Sequence, residues 1–135
     1  MSKTILALSL HVGKWGAERS MCTALSALRK QGYRVVLLIT SHGEIESLLK
    51  EYEIEYYVSP MDTLVIGYST AWFRRIKRFC DIMHRCMQHN RGIISLLSEK
   101  QIHPDFIYTN TILPLNGVFL SYHYHAKHVI HICEF

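Results

Sequence analysis

The sequence contains no apolar run approaching the roughly 20 residues that a membrane-spanning helix needs, so an integral membrane protein is not expected. It has no low-complexity tract and no internal repeat, which removes disordered linkers and solenoids. Met1-Ser2-Lys3 runs directly into Thr4–Leu10, an apolar stretch too short for a signal core and without a small-residue cleavage site. Cysteine is sparse. Cys22, Cys80, Cys86 and Cys133 are dispersed, form no CxxC pair and each sit in an apolar stretch, the usage expected of buried reduced thiols in a cytoplasmic protein.

Missing signatures narrow the function further. The turn after the first apolar run is spaced G-x-x-G-A rather than G-x-G-x-x-G. The second strand pattern ends in Thr40-Ser41-His42, without the acid that binds a ribose, so a dinucleotide site is not expected. There is no phosphate-binding G-x-x-x-x-G-K-[ST], no nucleophile elbow and no Cys-His pairing. His123, His125, His128 and His131 crowd one region but straddle a helix end, a turn and a strand. Cys80 and His84 lack a second pair, so no metal and no cofactor is expected. The net charge of +4 is mild and does not suggest a nucleic-acid partner.

What is present is alternation. With 135 residues, 49% of them hydrophobic, the chain can form one core, and residues 1–135 read as one domain. Thr4–Leu10 is a near-continuous apolar run, as a strand buried on both faces requires. A loop with Gly13 and Gly16 follows, then Met21, Ala24, Leu25 and Leu28 at helical spacing, with Gly32 where a C-cap falls. Val35–Thr40 is a second strand. Ser41-His42-Gly43-Glu44 has capping-box spacing ahead of Ile45, Leu48, Leu49 and Tyr52. Ile54–Val58 reads as a third strand and Met61–Ser69 as a loop. A long helical pattern from Thr70 breaks near Asn90-Arg91-Gly92 and resumes from Leu97 to Gln101. Asp105–Thr109, Pro114 to about Tyr122, and Val129–Cys133 complete a strand, a helix and a fifth strand.

Such alternation predicts an α/β fold, a Rossmann-like parallel sheet of order 3-2-1-4-5 with right-handed crossovers. The ligand crevice is then expected where the order reverses, at the carboxyl ends of strands 1 and 4. Gly13–Glu18 and Asn110-Thr111 flank that point. Glycines there either bring backbone close to a ligand or only make a tight turn, and pattern does not choose between them. The chain ends directly after strand 5, where a closing helix would be expected.

Trp72–Met87 is amphipathic and basic. Trp72, Phe73, Ile76, Phe79, Cys80, Met83, Cys86 and Met87 share one face, and Arg74, Arg75, Lys77, Arg78 and Arg85 lie opposite. A crossover helix with a solvated basic face is the first reading; peripheral contact with anionic lipid, through Arg74, Arg75, Lys77 and Arg78, is the second.

Three stretches together resemble the N-terminal, acceptor-side domain of GT-B glycosyltransferases of family 4, which are retaining enzymes using nucleotide sugars. Trp15-Gly16-Ala17-Glu18-Arg19 is similar to the family's Gly-Gly-Ala-Glu element. Pro104-Asp105-Phe106-Ile107-Tyr108-Thr109-Asn110-Thr111 is similar to its Pro-Asp-hydrophobic-His-x-Asn stretch, and His128–Phe135 looks like its fifth strand. The resemblance implies that Gly13, Gly16, Ala17 and Glu18 lie beside the donor diphosphate and that Asn110 and Thr111 line the opposite wall. His131 and Glu134 are implied at the catalytic edge, approaching a glycan or lipid-linked acceptor. It also implies a metal-independent enzyme; the cysteine usage suggests a cytoplasmic one, and the basic Trp72–Met87 face would suit an acceptor held at the inner face of a membrane. Trp15 replaces a family glycine, and Cys133 stands where relatives carry His or Arg. The family's donor-binding domain, with two glutamates eight positions apart, has no counterpart in these residues, so the fragment alone is expected to be inactive. A non-catalytic Rossmann-like binding module, a truncated inactive product, or another GT-B enzyme such as a sugar-nucleotide epimerase remain the alternatives.

Overall fold

A computed structural model of the chain describes residues 2–63, 71–111 and 115–132. In chain order the elements are β1 (Thr4–Ser9), α1 (Gly16–Lys30), β2 (Arg34–Ile39), α2 (Ile45–Glu51), β3 (Glu55–Val58), α3 (Trp72–Glu99), β4 (Phe106–Thr109), α4 (Leu115–Tyr124) and β5 (Lys127–Ile130). All strand pairs are parallel and the order is β3-β2-β1-β4-β5, as the alternation predicts.

Central position explains composition. Every residue of β1 is buried, and five of six in β2, because helices cover both faces there. Successive side chains alternate between two half-cores. Ile5, Ala7, Val35, Leu37 and Ile39 meet Met21, Cys22 and Leu25 of α1 and Leu49 of α2. Leu6, Leu8, Val36 and Leu38 meet Ile93 and Leu97 of α3 and Leu120 of α4. The α1-side face over β4 and β5 carries an open apolar groove of about 260 Å³, lined by Ile5, Leu28, Tyr33, Phe106, Tyr108 and Val129.

Several boundaries differ from the sequence expectation. The predicted break at Asn90-Arg91-Gly92 does not occur: α3 runs unbroken through Gly92. A mid-helix glycine costs only about 1 kcal/mol against alanine. Buried Ile93 and Leu97, and a hydrogen bond joining buried Asn90 to Asn116, hold the turn in place. The capping box at Ser41–Glu44 is replaced by another arrangement. Glu46 reaches back to the Gly43 amide at 3.2 Å, and the Val12 carbonyl accepts from Ile45 at 2.9 Å. Strand β5 begins two residues earlier than Val129, because Lys127 pairs with Phe106 at the start of β4. Cys80 is exposed, whereas Cys22 and Cys86 are buried, so the thiols are not all interior. Most of the predicted Met61–Ser69 loop, and Cys133, lie outside the described residues. Gly32 is the expected C-cap glycine, at φ +97°.

Candidate active-site edge

Parallel register delivers the site residues to one edge. Leu8, Thr109 and Ile130 lie in one row across β1, β4 and β5. In the next row, Asn110 and His131 leave the sheet beside Ser9, the last residue of β1, about 4.8 Å apart per strand. Helix α1 starts from the same edge, after a six-residue connection from β1. Gly13, Gly16, Ala17, Glu18, Asn110, Thr111 and His131 thus share the carboxyl edge at the β1/β4 switch point. Glu134 lies outside the described residues.

The α1 N-terminus has unusual chemistry. Its N-cap residue is Trp15, in extended conformation and making no side-chain capping bond. Indole carries a donor and no acceptor, so it cannot satisfy the first-turn amides as Ser or Asp would. The amides of Gly16, Ala17 and Glu18 have no intrahelical acceptor either. A Cβ on Gly16 would meet nothing within 4 Å, and neither Gly13 nor Gly16 adopts a left-handed φ. A tight turn therefore does not require Gly16; its lack of a side chain leaves open space before the amides. Gly13 differs, since the Trp15 indole, Nε1 foremost, lies where its Cβ would stand. Arg19 Nε donates to the Lys14 carbonyl at 3.4 Å, closing the loop onto the helix.

Glu18 is 2% exposed and its Oε2 has no hydrogen-bond partner. Its position in the first turn places a carboxylate at the positive end of the helix dipole. One turn further on, burial and then the Glu18 charge push the Cys22 thiol up to about 11. Cys22 is consequently a core thiol rather than a nucleophile.

The opposite wall is braced by groups the sequence did not single out. The Tyr108 hydroxyl hydrogen-bonds His131 Nδ1 at 2.5 Å, and the His131 amide donates to the Thr109 carbonyl at 2.8 Å. The ring of His131 is thereby fixed relative to β4, leaving Nε2 as its other nitrogen. Behind it, Thr109 Oγ1 and His128 Nε2 are 3.1 Å apart, and burial holds the His128 imidazole below its usual range. Gly117 lets α4 approach this pair: a Cβ there would lie 2.6 Å from Thr109 Cγ2 and 3.0 Å from His128 Nε2. Asn116, fully buried, accepts from the Asp62 amide at 2.9 Å and donates to Asn90 Oδ1 at 2.7 Å. It ties α3, α4 and the segment after β3 into one unit. Two-residue alternation along β4 could have flagged Tyr108, but its partner depends on the β4–β5 register.

Arg74, Arg75, Lys77 and Arg78 occupy the first two turns of α3 and are exposed. The apolar face opposite them is exposed as well. The expectation of a crossover helix packed along its length holds only for its second half. Among the described residues, no three His, Cys, Asp or Glu side chains are grouped to hold a metal ion. Nor is any helix among them long and apolar enough to cross a membrane.

No protein-family model and no curated protein matches the chain. Solved structures do. Anabaena Alr3699/HepE in complex with UDP and glucose superimposes with a TM-score of 0.62 at 18% identity, over 95% of this chain and 29% of that one. Acinetobacter baumannii MurG gives 0.60 at 15% identity, over 95% of this chain and 34% of that one. The C-terminal domain of the PF1911 hydrogenase from Pyrococcus furiosus gives 0.54 at 12% identity, covering 96% and 91%. The chain therefore spans about three tenths of the length of the first two. At these identities the likeness establishes the fold: a five-stranded Rossmann-like sheet matching a fragment of GT-B glycosyltransferase folds.

Proposed function

We propose that this chain is the acceptor-side half of a retaining, family 4-like glycosyltransferase. Its reaction moves a sugar from a nucleotide-sugar donor to a glycan or lipid-linked acceptor at the inner, cytoplasmic face of a membrane. The observation that carries the reading is the uncapped start of α1, where Trp15 leaves the Gly16, Ala17 and Glu18 amides unsatisfied at the switch point. Preorganised amides there suit the negative charge that develops on a departing diphosphate. Asn110 and Thr111 line the other side of the crevice, and His131 and Glu134 approach the acceptor. Tyr108 keeps the His131 ring oriented toward it. The nucleotide sugar is a substrate, and the chemistry calls for no metal or cofactor. A donor-binding half supplies most of the nucleotide recognition, so these 135 residues alone transfer no sugar.

The test is an amide-resolved NMR titration of the chain with inorganic pyrophosphate and, separately, with nucleotide sugars. Saturable shifts centred on Gly16, Ala17 and Glu18 are expected. Shifts confined to exposed lysines and arginines would overturn the anion-site assignment, and turnover by the chain alone would overturn its dependence on a second half. The reading frame beyond Phe135 adds an independent check. A second α/β half with paired glutamates is expected, whereas a stop codon or an unrelated domain favours the non-catalytic binding module.

A further inference from the structure

We infer that the cavity between the C-terminal ends of α3 and α4 is a binding site for a neutral sugar unit, with room for a second unit beside it. The site lies away from the switch-point edge, and it stands on its own lining whether or not the chain takes part in sugar transfer.

The fold makes this cavity where two helices end. Both α3 and α4 run toward the amino edge of the sheet, feeding β4 and β5. Each is followed by a residue in the left-handed region, Gln101 at φ +54° and His125 at φ +52°, which turns the chain back toward its strand. The Ile102 amide donates to the Leu97 carbonyl at 2.8 Å, and the Ala126 amide to the Ser121 carbonyl at 2.9 Å, so both turns are fixed from within. Between them lies an open cavity of about 400 Å³, within the usual range for a small-molecule site. Tyr124, on its wall, is about 12 Å along α4 from Asn116 at the candidate active-site edge.

The lining mixes apolar and polar groups without fixed charge. Ile94, Leu97 and Ile102 form an apolar floor. The rings of His103 and His123 stand against Tyr124, with centroids 5.3 and 4.8 Å from its own and planes at 82° and 86° to it. These three rings make one wall, and Ser98 and Gln101 complete the rim. Among the described residues, no Lys, Arg, Asp or Glu lines the cavity. Burial pushes the Tyr124 phenol above its usual range, so it stays a neutral hydroxyl. The side chains of Ser98, Gln101, His103, His123 and Tyr124 make no hydrogen bond among the described residues, so their donors and acceptors are open to a ligand.

That combination selects the occupant. A charged ligand would meet no counter-charge there. A purely apolar one would cover five polar side chains and pair with none of them. A flat aromatic could stack on the wall but would leave Ser98 and Gln101 unmatched. A pyranose fits both halves of the lining. The C–H groups of one ring face pack on the apolar floor and the aromatic wall, while its hydroxyls pair with amide, hydroxyl and imidazole groups around the rim. Past Ile94 and His123 the space continues for about 200 Å³ beside Phe119 and Arg91, which is where the second unit fits. The site is open on one side, so an affinity on the order of 1 mM is expected.

The test is an NMR titration of the chain with cellobiose, lactose and maltose, with glycerol and indole as controls. At least one disaccharide is expected to give saturable shifts centred on Ser98, Gln101, His103, His123 and Tyr124 that neither control reproduces. His103→Ala/His123→Ala should weaken binding at least ~5-fold, since each neutral hydrogen bond contributes about 2–10-fold. Tyr124→Phe keeps the ring, loses the hydroxyl and should weaken binding about 2–10-fold. The first variant changes exposed side chains and the second is nearly isosteric, so unchanged thermal melts verify that both fold. No saturable shift at these residues with any of the three disaccharides, equal shifts with indole, or undiminished binding by the double variant would overturn the inference. Pyrophosphate-induced shifts at Gly16–Glu18 are read from other amides at the opposite edge, so either reading can fail without the other.

Discussion

Replacing Asn116 by alanine tests the brace behind the site most directly. The side chain is fully buried and uses both ends of its amide, toward the Asp62 amide at 2.9 Å and Asn90 Oδ1 at 2.7 Å. Alanine removes both bonds and leaves two groups behind. Asn90 is 7% exposed and recovers little from water. Asp62 is a half-buried residue, so its amide is taken to recover part of its loss. At about 1–3 kcal/mol for an abandoned buried group, the total is about 2–4 kcal/mol. For a domain of this length that corresponds to a fall in Tm on the order of 7–14 °C. Urea denaturation followed by circular dichroism measures it. An Asn90→Ala change should add little on top, because the two residues share one bond. A loss below about 0.5 kcal/mol, or strict additivity of the two changes, would refute the proposed bracing.

The remaining predictions concern packing, ligand access, protons and thiols. Gly117→Ala should destabilise the fold by about 1–2 kcal/mol in chemical denaturation, because helix propensity favours alanine but its Cβ collides with buried Thr109. Gly16→Ala should leave stability within about 0.5 kcal/mol yet weaken the pyrophosphate-induced shifts, since its Cβ meets no protein atom and intrudes only on the open side. Burial depresses the folded-state pKa of His128, so its contribution to stability is complete above the unfolded value of 6.5 and is lost as pH falls below it. Denaturation midpoints measured between pH 8 and 5 should fall through that window, and His128→Gln should remove this inflection. In a Cys133→Ser background, one thiol, Cys80, should react with a disulfide reagent under native conditions. Cys22 and Cys86, both buried and pushed up to about 11, should react only on unfolding.

Local pattern and tertiary context contributed to different parts of this description. The β1 and β2 runs were legible because a strand covered on both faces has to be apolar throughout. From them and the intervening helical spacings, the 3-2-1-4-5 order and the switch-point location followed. The Gly13–Glu18 and Asn110-Thr111 segments were legible as an edge pair for the same reason. The edge strand β5 was misplaced by two residues: its Lys127-His128-Val129-Ile130 sequence is only partly covered and carries a weak pattern, so pairing with β4 sets its start.

The rest depended on contacts distant in sequence. Gly92 reads locally as a helix breaker, and Asn90, Ile93 and Leu97 override it through partners on α4 and the sheet. The Tyr108–His131 bond joins residues 23 positions apart and exists only in one strand register. Amphipathic spacing identified an apolar face between Trp72 and Met87, but spacing cannot say what that face touches. That was decided by a helix longer than the sheet beneath it, which buries the second half of α3 and leaves the aromatic and basic first half in water. Sequence determined the elements, their order and the edge at which we propose that ligand binds. Tertiary structure decided which polar groups are held there and which apolar ones remain uncovered, because burial and register belong to neighbouring elements rather than to any single stretch of chain.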